Sequence, residues 1–372
     1  MTFYPLKFWG IPPYLGWQGI IPRKAHKMSS KAVDMLTSRL IRVEELFERA
    51  DPDVMAREMS PPIKETTAQL VEDIGHSSNP QMWAMVPQAV KDGTKDQINA
   101  QVPNLVKAVV ADIKTNILTV FDVKSHVIDN LTGNNVNKLV ELFQRAGKNE
   151  FKFIEMCGLY FGFTLGLVQT LVWYFYQSGW TLPVIGIIVG YLTNWLALQM
   201  IFRPFRPTRY LFFTYQGLFL KRQKEVSAEY AKFMSSEILS ARKVMDNIVY
   251  GSMAHKMFDI AQHHIIKAIS QIEGLARPFA TVLIGNEEYD AIKRYVISKM
   301  TAVIPSSARR VEAYIGQTMD LENLLSSRMS ELPPEQFEDL LRSAFREDEI
   351  ILILVGAFLG CAVGFIQWGI FN

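Results

Sequence analysis

The side chains that could support catalysis or metal binding form no known constellation in this sequence. Of six histidines only His263 and His264 are adjacent, and neighbours in a helix point in different directions, which disfavours a shared metal ion. The two cysteines, Cys157 and Cys361, lie in apolar segments and are expected to act as small apolar residues. The sequence also lacks a phosphate-binding glycine loop, a nucleophile elbow and a paired-carboxylate motif. It therefore predicts a protein that is not an enzyme and that holds no metal or cofactor.

Uncharged polar side chains occur inside the long apolar segments, among them Thr193, Asn194, Gln169 and Gln367. Lipid cannot hydrogen-bond to such groups, so we expect them to meet in one buried polar cluster. The cluster could join helices by hydrogen bonds, or it could line a site for a polar substrate or ion near the midplane. The same segments contain no Asp, Glu, Lys or Arg, which weakens the case for a proton relay or an ion-coupled pump.

A Gln-Gly pair followed by a basic dipeptide occurs twice, each time after a segment rich in aromatic residues and proline. The residues are Gln18, Gly19, Arg23 and Lys24 in the first copy, and Gln216, Gly217, Lys221 and Arg222 in the second, which Arg203 precedes. Aromatic side chains favour the headgroup depth of a bilayer, and cations there pair with lipid phosphates. Two interpretations stay open, namely simple anchoring of the topology and specific binding of lipid headgroups.

Charge-free lengths of the chain define the elements that must position these residues. Residues 156–202 contain no Asp, Glu, Lys or Arg and are long enough for two membrane passes separated by a polar break at 177–183. A further charge-free segment begins at residue 350. Because a spanning helix needs about 20 apolar residues, the sequence predicts transmembrane helices at 153–176, 183–202 and 350–371.

Two of these predicted helices carry glycine at every fourth position. The rows are Gly158, Gly162 and Gly166 in one helix, and Gly356, Gly360 and Gly364 in the other. Small residues at this spacing let a neighbouring backbone approach closely, so we expect both rows to pack against other helices. A path lined by exposed backbone is the functional alternative.

The two motifs and the two glycine rows recur at one fixed spacing of 198 residues. Gln18-Gly19 falls on Gln216-Gly217, and the first glycine row, ending at Gln169, falls without a gap on the second, ending at Gln367. Agreement at one offset in both the charged and the apolar parts indicates a tandem, parallel duplication. A predicted span precedes the second copy, so we expect a corresponding span ahead of Met1.

The rest of the chain, 1–150 and 203–348, is predicted to form the soluble helical regions of the two repeats. Apolar residues step by three and four, as an amphipathic helix requires, at Val33, Leu36, Leu40, Val43 and Phe47. No run alternates with the period of a strand, so these regions are expected to be all-α and elongated. Lys and Arg near the span ends favour a cytoplasmic location for both regions. A net charge of only +2 gives no reason to expect nucleic acid as a partner.

Four motifs resemble the domain of unknown function 445 family of bacterial membrane proteins: TNWLALQMIFRP (193–204), QGLFLKR (216–222), YLGWQGIIPRK (14–24) and GFTLGLVQ (162–169). The resemblance covers nearly the whole chain. It implies a multi-pass helical protein of the bacterial inner membrane and no particular activity. The departure is at the front, where the family pattern would place a leading span.

Together these features predict an all-α membrane protein, a tandem parallel repeat of an elongated soluble helical region plus transmembrane helices. Three spans lie in this chain, and a fourth is expected ahead of it. The leading hypothesis is a non-enzymatic scaffold that binds membrane lipids, a second copy of itself or another envelope protein at the cytoplasmic face. The alternative is a transporter or channel with a polar site at the interface between the two repeats.

Overall fold

The computed structural model describes residues 3–11, 15–176, 178–210, 213–284, 286–342 and 349–371, and the protein is 84% helical. The first half contains α1 (Ile20–Arg23), α2 (Ala25–Met35), α3 (Val43–Glu48), α4 (Pro52–Ser78), α5 (Pro80–Met85), α6 (Gln88–Thr115), α7 (Ile117–Val120), α8 (Val123–Leu131), α9 (Val136–Ala146) and α10 (Lys148–Phe175). The second half contains α11 (Thr181–Phe202), α12 (Leu218–Lys221), α13 (Gln223–Phe233), α14 (Ala241–Tyr250), α15 (Ala254–Ile284), α16 (Asn286–Ala302), α17 (Ile304–Arg310), α18 (Glu312–Met319), α19 (Leu321–Ser330), α20 (Pro334–Arg342) and α21 (Glu349–Phe371). Residue 177 of the predicted polar break and residues 343–348 of the second soluble region lie outside the described residues.

Three of these helices, α10, α11 and α21, are long and apolar enough to cross a membrane. This agrees with the three spans predicted from charge gaps, although α10 extends back to Lys148 and α11 to Thr181. Most of their apolar side chains are not covered by protein, and Leu159 and Phe163 are 65% and 69% exposed. Such continuous apolar faces are stable against lipid and unfavourable against water, so they mark the surface that meets the bilayer.

The chain forms two compact units, and each is assembled from both halves of the sequence. Unit 1 contains Met1–Leu40, Val127–Ile238 and Glu322–Asn372, and unit 2 contains Ile41–His126 and Leu239–Leu321. The predicted soluble regions 1–150 and 203–348 are therefore not two separate bodies. The middle of each belongs to unit 2 and the ends belong to unit 1, because the apolar faces of short helices are buried by partners far away in the sequence.

Two short β-hairpins lie in unit 1, where no strand was predicted. β1 (Trp9–Ile11) pairs antiparallel with β2 (Leu15–Trp17), and β3 (Thr208–Tyr210) pairs antiparallel with β4 (Phe213–Tyr215). Strands of three residues are too short to show a period-two pattern, so periodicity could not predict them. The second hairpin follows α11 closely and so lies near the end of a span.

The amphipathic pattern at Val33, Leu36, Leu40, Val43 and Phe47 identifies buried residues, since each of them is at most 7% exposed. The helix itself is not continuous. A π-helical turn at Leu36–Leu40 separates α2 from α3, and a second one at Met234–Ile238 separates α13 from α14. The spacing of apolar residues therefore predicted burial correctly, but it did not predict the interruption between α2 and α3.

In unit 2 the long helices α4, α6, α15 and α16 pack against one another. Helix α4 starts with Pro52 at its first turn, and the Asp51 side chain accepts a hydrogen bond of 2.9 Å from the backbone N–H of Asp53. Asn79 caps α5 in the same way, with a bond of 3.0 Å from the backbone N–H of Met82. Both caps bind backbone N–H groups that have no partner within the first turn of a helix. They therefore define where α4 and α5 begin.

Candidate functional site

A groove of about 450 Å³ runs between α4, α6, α15 and α16 of unit 2. Its floor is made of apolar side chains: Leu70, Val71, Ile74, Val102, Leu105, Ile265, Ile269, Val296 and Met300. Ligand sites for amphiphiles and small molecules commonly enclose about 300–1,000 Å³ and are mostly apolar with a few polar groups. The groove has the size and the lining of such a site.

The lining of this groove also contains polar side chains: Thr67, Gln101, Asn104, His264, Lys267 and Gln271. Lys267 is exposed to solvent. His264 is held in place because its Nε2 lies 3.0 Å from Oδ2 of Asp112. The adjacent rings of His263 and His264 contact each other edge to face, with their centroids 5.7 Å apart and their planes at 85°. The groove therefore combines a mostly apolar lining with the exposed cation of Lys267.

A second cavity of about 100 Å³ lies deeper in unit 2 and is lined almost wholly by apolar side chains. Leu105, Ile265 and Met300 line both cavities, so the groove and the deeper space share one wall. The Lys114 side chain reaches this region, but its Nζ donates to the backbone oxygens of Glu48 and Ala50 at 2.7 and 3.1 Å. An apolar space of this kind stays free of ordered water and is open to an apolar chain.

The Gln-Gly pairs have a structural role in the hairpins. Gln18 Nε2 donates to the Leu6 oxygen at 2.8 Å, and Gln216 Nε2 donates to the Phe205 oxygen at 3.0 Å. A Cβ added at Gly217 would lie 2.7 Å from the carbonyl carbon of Phe202, closer than side chains are found. Gly19 is confined in the same way. In each Gln-Gly pair the glycine therefore packs against the preceding backbone, and the glutamine side-chain amide is already hydrogen-bonded to it.

The cations predicted to bind lipid headgroups divide into exposed and paired residues. Arg23, Lys221 and Arg203 are exposed, and the Arg203 guanidinium lies 4.9 Å from the centroid of the Phe205 ring. Lys24 is half-buried. Arg222 is turned inward, where Nη1 donates to Glu150 Oε1 at 2.8 Å and Nε donates to Glu225 Oε2 at 2.7 Å. Burial alone would lower the pKa of Arg222, but its hydrogen bonds to Glu225 and Glu150 raise it, so the guanidinium stays charged.

The polar side chains of the spans form two separate sites, so the prediction of one cluster was wrong. Gln169 Nε2 donates to Gln367 Oε1 at 3.0 Å, which joins α10 to α21. Asn194 Nδ2 donates to the Leu352 oxygen at 2.9 Å, about 22 Å further along α21. Thr193 bonds to its own helix, with Oγ1 2.9 Å from the Val189 oxygen.

The two glycine rows have different surroundings. A Cβ added at Gly356 would lie 2.6 Å from the Gly190 oxygen, and one added at Gly364 would lie 2.5 Å from Pro183 Cα. Gly360 likewise sits against Gly186. This row therefore lets α21 approach the backbone of α11, as expected.

The row on α10 has no such neighbour. No described atom lies within 4 Å of a Cβ added at Gly158, Gly162 or Gly166. The expectation that both rows pack against another helix thus fails for α10 within the described residues, because α11 uses its small residues Gly186 and Gly190 on α21 instead.

Two ion pairs at the ends of the spans were not predicted from the sequence. Glu150 in the first turn of α10 pairs with Arg222, and Glu349 in the first turn of α21 pairs with Arg342, whose Nη2 donates to Oε2 at 2.8 Å. The hydrogen bonds that Arg342 donates to Glu349 raise the pKa of Arg342. Each glutamate lies shortly before a charge-free segment, and this position in the sequence could have indicated a functional or structural role.

The groove of unit 2 suits an amphiphile with an apolar chain and an anionic head, since Lys267 lies on its margin. Comparison of the chain with family models, with curated proteins and with solved structures found no match.

Proposed function

We propose that this protein is a membrane-anchored, non-enzymatic lipid-binding protein whose unit 2 holds the acyl chain of an amphiphile. The observation that carries the proposal is the apolar groove of about 450 Å³, which shares a wall with a second apolar cavity of about 100 Å³. Both occur in a chain with three helices able to cross a membrane. The spans would anchor the chain that carries the groove in a membrane, which is a source of lipid.

The chemistry of the groove supports an acyl chain rather than a polar metabolite. Burying one methylene group contributes about 0.8 kcal/mol, so about eight methylenes on the apolar floor contribute about 6 kcal/mol. Lys267 on the margin would pair with a carboxylate or a phosphate at the head of the chain. A mostly apolar lining and the cation of Lys267 together fit a fatty acid or a phospholipid.

The proposal includes a tandem duplication and a place in the bacterial inner membrane. The duplication is supported by features that recur 198 residues apart, among them the π-helical turns Leu36–Leu40 and Met234–Ile238 and the matching hydrogen bonds of Gln18 and Gln216. Membership of the domain of unknown function 445 family, and a cytoplasmic location for the helical regions, rest on the motif resemblance and on the distribution of Lys and Arg.

The test is to fill the groove and to measure the bound lipid. Ala108 lines the groove, whereas Ala111 on the same helix is exposed, so Ala108→Trp and Ala111→Trp form a matched pair. The full chain would be purified in a mild detergent, and its lipids would be quantified by mass spectrometry after extraction. Binding of a fluorescent fatty acid to the delipidated protein would be measured in parallel.

We expect Ala108→Trp to lower fatty-acid affinity by about tenfold or more, because an indole would displace methylene groups from the floor. Ala111→Trp should bind as the wild type does. Equal affinity in all three proteins, with the variants folded as judged by circular dichroism, would refute the proposed function.

A further inference from the structure

Unit 1 contains a separate cavity of about 190 Å³, at the point where α10 begins, α11 ends and α21 begins. Most of its wall is apolar: Phe151, Ile154, Leu198, Ile201, Phe219 and Leu352. Because it lies at the ends of three helices able to span a membrane, the cavity is at the depth of lipid headgroups and upper acyl chains.

One wall of this cavity carries a buried carboxylate with an unused oxygen. Glu150 is only 1% exposed, and its Oε1 accepts the hydrogen bond from Arg222. No described residue donates a hydrogen bond to Oε2. A buried acceptor without a partner is strongly unfavourable, and native proteins rarely keep one without a ligand, water or functional reason. A donor brought by an occupant of the cavity would satisfy it.

The charges beside the cavity favour a cationic donor. The second glutamate in the wall, Glu349, is already engaged by Arg342, which also binds Glu338. Arg222 is likewise shared between Glu150 and Glu225. In these pairs Arg222 is the one guanidinium group that contacts Glu150, and it is shared with a second carboxylate, Glu225. An ammonium group would be attracted to the Glu150 carboxylate, whereas a headgroup whose only charge is negative would not be.

We propose that this cavity binds a membrane phospholipid with a primary ammonium headgroup, that is, phosphatidylethanolamine. The ammonium group donates a hydrogen bond to Oε2 of Glu150, and one acyl chain lies against Ile154, Ile201 and Leu352. Phosphatidylglycerol lacks the cation, and phosphatidylcholine has the cation but no N–H donor. The site is in unit 1 and does not depend on the groove of unit 2, so the two proposals can fail separately.

The experiment is native mass spectrometry of the full chain in mild detergent, with phosphatidylethanolamine, phosphatidylglycerol and phosphatidylcholine of identical acyl chains added one at a time. We expect wild-type protein to retain phosphatidylethanolamine about tenfold more strongly than the other two, which corresponds to a charge-assisted hydrogen bond. Glu150→Gln should bind the three lipids alike, because the amide keeps an acceptor for Arg222 but loses the negative charge. Glu141→Gln is the control, since Glu141 on α9 is a partly exposed carboxylate that pairs with Arg145.

Equal retention of the three lipids by the wild type would overturn the proposal, as would a preference that survives in Glu150→Gln. The comparison of lipids on wild-type protein needs no variant, so it decides the question even if Glu150→Gln does not fold. The fluorescent fatty-acid assay with Ala108→Trp reports on unit 2 alone and shows whether only one of the two sites exists.

Discussion

The packing of α21 on α11 can be tested with one added methyl group. At Gly364 the new Cβ of an alanine would lie 2.5 Å from Pro183 Cα and 2.6 Å from the Leu182 oxygen. Ordinary contacts begin near 3.4 Å, so the helices would have to separate by about 0.9 Å. The obstacles are backbone atoms, which no side-chain rotation can remove.

The expected cost follows from this separation. Overpacking a tight contact destabilises by about 1–3 kcal/mol, and Gly360 and Gly356 would lose close contact with α11 at the same time. We therefore expect Gly364→Ala to destabilise the protein by about 2 kcal/mol, which lowers the melting temperature of a chain of 372 residues by about 2–3 °C. Tryptophan fluorescence in detergent is a suitable assay, because the rings of Trp180 and Trp368 lie 5.3 Å apart at this end of the helix pair.

The matched control is Gly166→Ala on α10, at the position 198 residues earlier. No described atom lies within 4 Å of a Cβ at Gly166, so this alanine should be neutral or should raise stability slightly through its greater helix propensity. Equal melting temperatures for the two variants, or a lower one for Gly166→Ala, would refute the account of the glycine row.

Two further predictions concern polar contacts. Asn194→Leu removes the hydrogen bond to the main chain of α21 and should destabilise by about 1 kcal/mol in a detergent melt, without changing solute flux in vesicles; lost flux at unaltered stability would favour the transporter hypothesis instead. Hydrogen bonds from Lys95 and Trp83 hold the pKa of Glu72 below its ordinary value of 4.5. A lowered carboxyl pKa stabilises the fold above the ordinary value and loses that contribution as the pH falls through the lowered one. Hydrogen exchange of the nearby turns of α4 and α6, corrected for intrinsic rates, should therefore rise in acid below about pH 4.5, and less so in Glu72→Gln.

The contacts that create the candidate sites were not accessible from the sequence. The groove of unit 2 joins residues such as Leu70, Val102 and Ile265, which come from three helices in two halves of the chain. The pairing of Glu150 with Arg222 and the bond from Asn194 to α21 also connect distant positions. Periodicity shows that a side chain is buried, but it does not show which partner buries it.

The sequence by itself determined the three membrane spans and the burial of residues such as Val33 and Phe47. Both properties depend on a short stretch of chain and its hydrophobicity, because lipid and water select for polarity residue by residue. Only the tertiary structure decided which glycine row is covered, where the polar side chains of the spans bond, and that a carboxylate at Glu150 faces an apolar cavity. These features depend on the register and distance between helices, which are set by the packing of many side chains at once.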